Sequence, residues 1–416
     1  NINGNADIKA SSPLNIDSAV SVGGDATFEA TEDGGDDDHI TVSADVESTG
    51  GGLLTFNAGA DYQQTAGSVS TAGNVDINAD YDGSGTGVIN QSGGDIYAAT
   101  LYADAPGAIT LSSAANDADA LEAHSITAGD IQYTDTGAIE LADVDTADGA
   151  IDVTAGGQIT ATDVASLTDA DANDITLTST GAGIEAALID AGGTDGDVTL
   201  DAQGGAITQD GADDSDDVVA DVLTADAAGG IDLDTTVAGV DASTSAAGDI
   251  LLDEADAVEL TDVDTADGAI DVTAGGQITA TAVDSSAVDD DSNDIILTSS
   301  GAGIQAVSVT AGAGQANDVT LDAQGGAVTD DGAAATDVTG DELIAGALSG
   351  IKLDTQVESL DAENTDNAIN ITNTGELTLA DLGQTAGSSL ININGNADIK
   401  ASSPLNIDSA VSVGGD

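Results

Sequence analysis

The sequence predicts an all-β fold, a right-handed parallel β-helix or β-solenoid, with about 20 coils of about 20 residues each. Three observations predict it. A short apolar-x-apolar signature returns along the whole chain, long stretches are duplicated, and the apolar residues are nearly all small aliphatics.

The signature comes first. It reads Val75-Asp-Ile77, Ile109-Thr-Leu111, Ile151-Asp-Val153, Ile175-Thr-Leu177 and Val198-Thr-Leu200, and continues as Ile231-Asp-Leu233, Ile270-Asp-Val272, Val319-Thr-Leu321, Ile351-Lys-Leu353 and Ile369-Asn-Ile371. Alternation of this kind is the period of a strand with one buried face. Copies usually lie about 18 to 25 residues apart, with Gly turns between. One coil cannot bury its inner residues alone, but stacked coils make a continuous aliphatic interior and pair each backbone with its neighbours. At about 4.8 Å per coil, some 20 coils give a rod of roughly 95 Å. Crossovers between parallel strands are right-handed, which sets the expected hand.

The duplications order the chain as one continuous solenoid over 1–416. Residues 143–162 and 262–281 are identical, at a shift of 119, and the later pair 197–206 and 318–327 is shifted by 121. Single insertions in turns explain the drift, with 143–261 and 262–381 as the two copies. Residues 1–25 and 392–416 are identical at a shift of 391. They read as segments of adjoining 391-residue units. No polar cap is apparent at either terminus, so the expected partner is the chain itself, stacked end to end into a filament, with lateral bundling as a further possibility.

Composition narrows the function classes. Lys9, Lys352 and Lys400 stand against 77 acidic residues, for a net charge of −74. With 40% hydrophobic residues the chain is still no disordered acidic tail. Two Phe and no Trp suit a thin interior better than a large globular core. Nucleic acid and anionic membranes need Lys and Arg from their partners, so neither is expected. No apolar run is long enough to insert in a bilayer. The charge density along a 95 Å rod, about one per 1.3 Å, exceeds the one per about 1.7 Å of duplex DNA. Such a surface suits molar salt, where the Debye length is about 3 Å, and points to a halophilic microbe.

Catalytic chemistry finds little footing. His39 and His124 lie far apart, Cys is absent, and neither a phosphate loop nor a nucleophile motif is present. Near-copies of each region argue against a unique active site, so no enzyme is expected. Calcium is the better chemical candidate. Asp169, Asp171 and Asn173 recur as Asp289, Asp291 and Asn293, alternating oxygen ligands of the type a hard cation takes. The Gly of a helix-loop-helix calcium loop is missing at Asp174 and Asp294, and plain acidic turns are the competing reading. Tyr62, Tyr81 and Tyr102, spaced by 19 and 21, predict an aromatic ladder with one ring per coil.

The phrases Asp174-Ile-Thr-Leu-Thr-Ser-Thr-Gly-Ala-Gly-Ile184, Asp197-Val-Thr-Leu-Asp-Ala-Gln-Gly-Gly-Ala-Ile207 and Ala72-Gly-Asn-Val-Asp-Ile-Asn-Ala79 resemble the coils of filamentous-haemagglutinin-type surface proteins. The resemblance implies a right-handed parallel β-helix in a giant secreted or surface-attached protein. The charge departs from that family. The expected function is a structural filament or stalk outside the cell or on its surface. The alternatives are the shaft of a giant adhesin and a secreted rod stabilised by calcium or other cations on its acidic turns.

Overall fold

The computed structural model describes residues 1–11, 13–31, 38–83, 85–211, 216–288, 292–312, 317–382, 384 and 388–414. It is an all-β parallel β-solenoid of about 17 turns of about 22 residues, with no helix among the described residues. The turns are fewer and longer than the sequence spacing suggests. Excursions such as 80–83 and 167–174 add residues without adding strands. The chain divides into two compact units, residues 1–205 with 217–221, and residues 206–216 with 222–416.

In the first unit one interior column runs Ile40, Tyr62, Ile89, Ile109, Ile131, Ile151, Ile175 and Val198, each the register partner of the next. None of these side chains is more than 1% exposed. A second column runs Ala26, Leu54, Val75, Leu101, Leu121, Leu141 and Ala161. The parallel ladder places like residue over like. Its even hydrogen bonds leave each strand satisfied by the turns on either side.

The second unit repeats the arrangement. Ile231, Ile250, Ile270, Ile295, Val319, Leu343 and Leu360 form one column. Val258, Ile278, Ile304, Val328, Ile351 and Ile369 form another. Strand Ile151–Ala155 of the first unit has its counterpart in Ile270–Ala274, and Val198–Ala202 in Val319–Ala323. In these two pairs the strand length is the same, five residues, and the added residues fall between the strands. A bulge is also repeated. The register slips between Leu121 and Glu122 against Leu141 and Asp143, and between Val240 and Asp241 against Leu260 and Asp262. An extra residue, Ala142 or Thr261, causes it.

Aromatic rings are few and local. Phe28 and Phe56 are register partners with rings stacked at 5.1 Å, and Tyr62 meets Phe56 edge-on at 5.3 Å. Elsewhere the apolar part of the interior is Ala, Val, Ile and Leu, joined by Tyr133. Burying each of the larger aliphatics is worth about 1.5–3 kcal/mol, and the stability accumulates turn by turn.

Turn glycines are set by close approach between turns. A Cβ on Gly181 would overlap the carbonyl oxygen of Gly156, and one on Gly204 the backbone of Gly181. Gly275, Gly301 and Gly325 repeat this stack in the second unit. Gly301→Ala is therefore expected to destabilise the protein by about 1–3 kcal/mol. In Gly193→Ala the new methyl meets nothing nearer than Val219 Cγ1 at 4.0 Å, so that variant should be close to neutral. Urea unfolding midpoints of the two variants check this, and equal midpoints would refute the stacking argument.

Candidate functional site

Strand alternation that turns aliphatics inward turns carboxylates outward, and the parallel register stacks them into rows. Asp104, His124 and Asp145 are successive register partners, beside a second row of Tyr102, Glu122 and Asp143. His124 Nδ1 lies 3.2 Å from Asp145 Oδ2 and 4.0 Å from Asp143 Oδ1. In the second unit Asp241 pairs with Asp262, and Ser243 with Asp264, which pairs with Asp284. Ser243 thus takes the place of His124 at the shift of the duplication.

Asp104, Asp241 and Asp264 of these rows have raised carboxyl pKa values. Burial pushes the Asp104 carboxyl up; His124 opposes the shift, and Asp76, Asp145 and Glu122 add to it. Burial likewise raises Asp264, reinforced by Asp262, Asp284, Asp241 and Asp226. Unit charges about 4.8 Å apart repel by about 1 kcal/mol even at the dielectric of water. The lysines offset little of this. Lys9 pairs with Glu29 at 2.9 Å, while Lys352 and Lys400 bind Asp330 and Asp398.

A polar seam lines part of the interior. Gln64 donates to the carbonyls of Gly67 and Asp95, and Gln91 to that of Gly94. Asn116 accepts from Gln91 and from the Ile96 amide, and donates to the Leu111 carbonyl. Asp135 accepts from the Tyr133 hydroxyl at 2.7 Å and from the amides of Ala118 and Gly137. In the second unit Asn373 accepts from the Thr355 hydroxyl and Val357 amide, and donates back to the Val357 carbonyl. Glu254, 4% exposed, accepts from the Thr235 hydroxyl and from the amides of Val237 and Asp256. These side chains satisfy backbone groups where the chain leaves a strand to turn a corner. Burial pushes the Glu254 carboxyl up to about 7, against those three hydrogen bonds.

The residues singled out in the sequence take varied places. Asp169 accepts from the Thr194 hydroxyl and from the amides of Asp195 and Gly196, and these bonds hold its carboxyl below the usual range. Asp171 is exposed. Asn173 is buried and its amide donates to Asp148 and to the Thr168 carbonyl. Asn293 does the same toward Asp267 and the Val288 carbonyl. The structure therefore uses Asp169, Asn173 and Asn293 to fasten loops. Asp289 and Asp291 lie outside the described residues.

The tyrosines do not share a column. Tyr62 is interior, and its register partner in the next turn is Ile89, 27 residues on. Tyr81 is 54% exposed in a turn. Tyr102 points outward between Asp76 and Glu122. A spacing of 19 or 21 matches the coil of about 20 residues that the sequence suggests, but the turns here are longer, so the rings fall at different phases. The stack that forms instead is Phe28 on Phe56, foreshadowed by the matching phrases Ala26-Thr-Phe28 and Leu54-Thr-Phe56.

Two further clusters were not singled out in the sequence. Among the described residues, ligand atoms of His124, Asp143 and Asp145 lie within 4.8 Å of one another, as do those of Asp330, Asp337 and Asp354. Asp337 is 1% exposed. Burial pushes its carboxyl up to about 6, with Asp330, Asp354 and Asp331 adding to the shift and the Asp354 amide opposing it. The only signal in sequence is an Asp immediately before the buried pair Val338-Thr339, at a strand entrance.

Against known proteins, no family model, curated protein or solved structure matches the chain. No helix long and apolar enough to cross a membrane is present among the described residues.

Two outcomes follow from the electrostatics. Stability should rise steeply with sodium chloride between roughly 0.1 M and 2 M, as the Debye length falls from about 10 Å to under 3 Å. A flat melting temperature over that range would remove row repulsion as the controlling term. Glu254 gives the pH dependence its sign. Its folded pKa lies above the unfolded one, so the contribution is fully present below about 4.5 and is lost as pH rises through about 7. The loss is on the order of 3 kcal/mol. In 2 M salt, Glu254→Gln should shrink the stability difference between pH 4.5 and pH 8 by about that amount. An unchanged difference would show that the Glu254 proton is not linked to folding.

Proposed function

We propose that this chain is a non-enzymatic module of a long extracellular filament or stalk, at the surface of a microbe living in high salt. The observation that carries the reading is positional repetition. Interior columns in both units keep like residue over like, and the strand Ala6–Ala10 recurs with the same sequence as Ala397–Ala401. A solenoid turn is completed by the turn stacked on it, so a sequence that returns after 391 residues supplies the next unit with the same surface to stack upon. The resemblance to filamentous-haemagglutinin-type coils supports a secreted or surface-attached setting.

In this reading the carboxylate rows are the solvent-facing coat. They hold water and monovalent cations, and their near-repetition in the two copies serves a uniform surface better than a single catalytic pocket. The mechanism is mechanical: parallel ladders inside, a hydrated polyanion outside.

The reading is tested by making proteins with one, two and three tandem 391-residue units and imaging them in 2 M sodium chloride. At about 22 residues per turn and about 4.8 Å per turn, each unit should lengthen the particle by about 85 Å. Particles that grow in girth, or separate beads whose number follows the unit count, would overturn the filament.

A further inference from the structure

We propose that Asp330, Asp337 and Asp354 form a calcium site. Asp330 follows the strand Val328–Thr329, Asp337 precedes Val338–Thr339, and Asp354 lies in Ile351–Gln356. One oxygen from each lies within 4.8 Å of the others. The acidic rows elsewhere face solvent, whereas Asp337 is 1% exposed. Its Oδ2 accepts the Asp354 amide at 2.6 Å, and its Oδ1 is buried with no hydrogen-bond donor. A carboxylate oxygen out of water and without a donor is stabilised by a cation.

Charge and size select the ion. Lys352 Nζ donates to Asp330, at 2.7 Å from Oδ1. Three carboxylates less one ammonium leave two negative charges, which a divalent cation balances. Calcium binds oxygen at about 2.3–2.6 Å, so oxygens that all lie within 4.8 Å of one another can share one calcium ion. Magnesium dehydrates reluctantly, keeps several waters and usually takes one or two carboxylates, so three protein carboxylates suit calcium better. The exposed loop 331–336 leaves room for water and carbonyl ligands to complete a calcium shell.

The site is particular to its copy of the duplication. In sequence, Gln209 stands where Asp330 stands and Asp232 where Lys352 stands. There Gln209 Nε2 donates to Asp232 at 3.2 Å, an amide-to-carboxylate bond in place of the ammonium-to-carboxylate pair. None of Asp169, Asp171, Asn173 or Asn293 belongs to this cluster.

The test is calcium titration by calorimetry on the full chain, freed of divalent ions, in 2 M sodium chloride to suppress binding to the surface rows. Wild type should bind calcium at a saturable site, and Asp337→Asn should bind one ion fewer per chain. Asp264→Asn, in a surface row, should leave the count unchanged. An equal count in wild type and Asp337→Asn overturns the proposal. Lys352→Ala gives a second readout that does not depend on the fate of Asp337→Asn. If the ammonium only shares Asp330 with the ion, removing it should tighten calcium binding several-fold, and calcium should raise the melting temperature of the variant. If Lys352 is itself the counter-ion of the cluster, the variant should lose stability that calcium does not restore, and the site is refuted.

Discussion

Everything in this structure depends on the parallel register between successive turns. A turn of about 22 residues encloses too little volume to hold itself together, and its backbone groups are met only by the turns beside it. The ladder fixes which residue lies over which. Ile151 must suit Ile131 and Ile175 alike, and Gly301 must leave room for the Gly275 carbonyl. Sequence likeness between turns is therefore a packing requirement, since any residue in a column is both lid and floor.

The same register that makes the interior favourable makes the exterior costly. Stacking like over like puts Asp264 over Asp284 and Asp241 over Asp262. An antiparallel or globular arrangement could scatter these charges; a parallel solenoid cannot. Salt in the medium would screen this repulsion, and the few lysines act locally. Two of the three bind a carboxylate outside their own strand, Lys9 on Glu29 and Lys352 on Asp330.

Much of the fold was legible because its signals are periodic. The apolar-x-apolar phrases became strands such as Ile109–Leu111 and Ile351–Gln356, and the identical phrases around 151 and 270 became equivalent strands. The tyrosine spacing misled because it compared residues with an average turn, whereas the turn after Tyr62 carries an excursion that shifts the phase. The polar seam was readable in principle: Asp135, Glu254 and Asn373 each sit at the inward phase of a strand that begins Ile-x-apolar. The Asp330, Asp337 and Asp354 cluster was not. Two of its members flank a loop, the third comes from the following turn, and in a chain this acidic no single Asp stands out until burial distinguishes it.

The parallel ladders have a consequence for load-bearing. Within either unit, a pull along the stacking direction would act on the ladders in series, so the weakest one sets the yield point. Ladders joined by two-residue strands such as Val283–Asp284 and Val309–Thr310 offer few bonds to break, while those of five residues on neighbouring faces, such as Ile295–Ser299 on Val319–Ala323, hold more. Where one turn carries both kinds, a face can open before the turn is lost. Under such a pull, resistance would fall face by face, and no single step would break the whole of a turn's bonding.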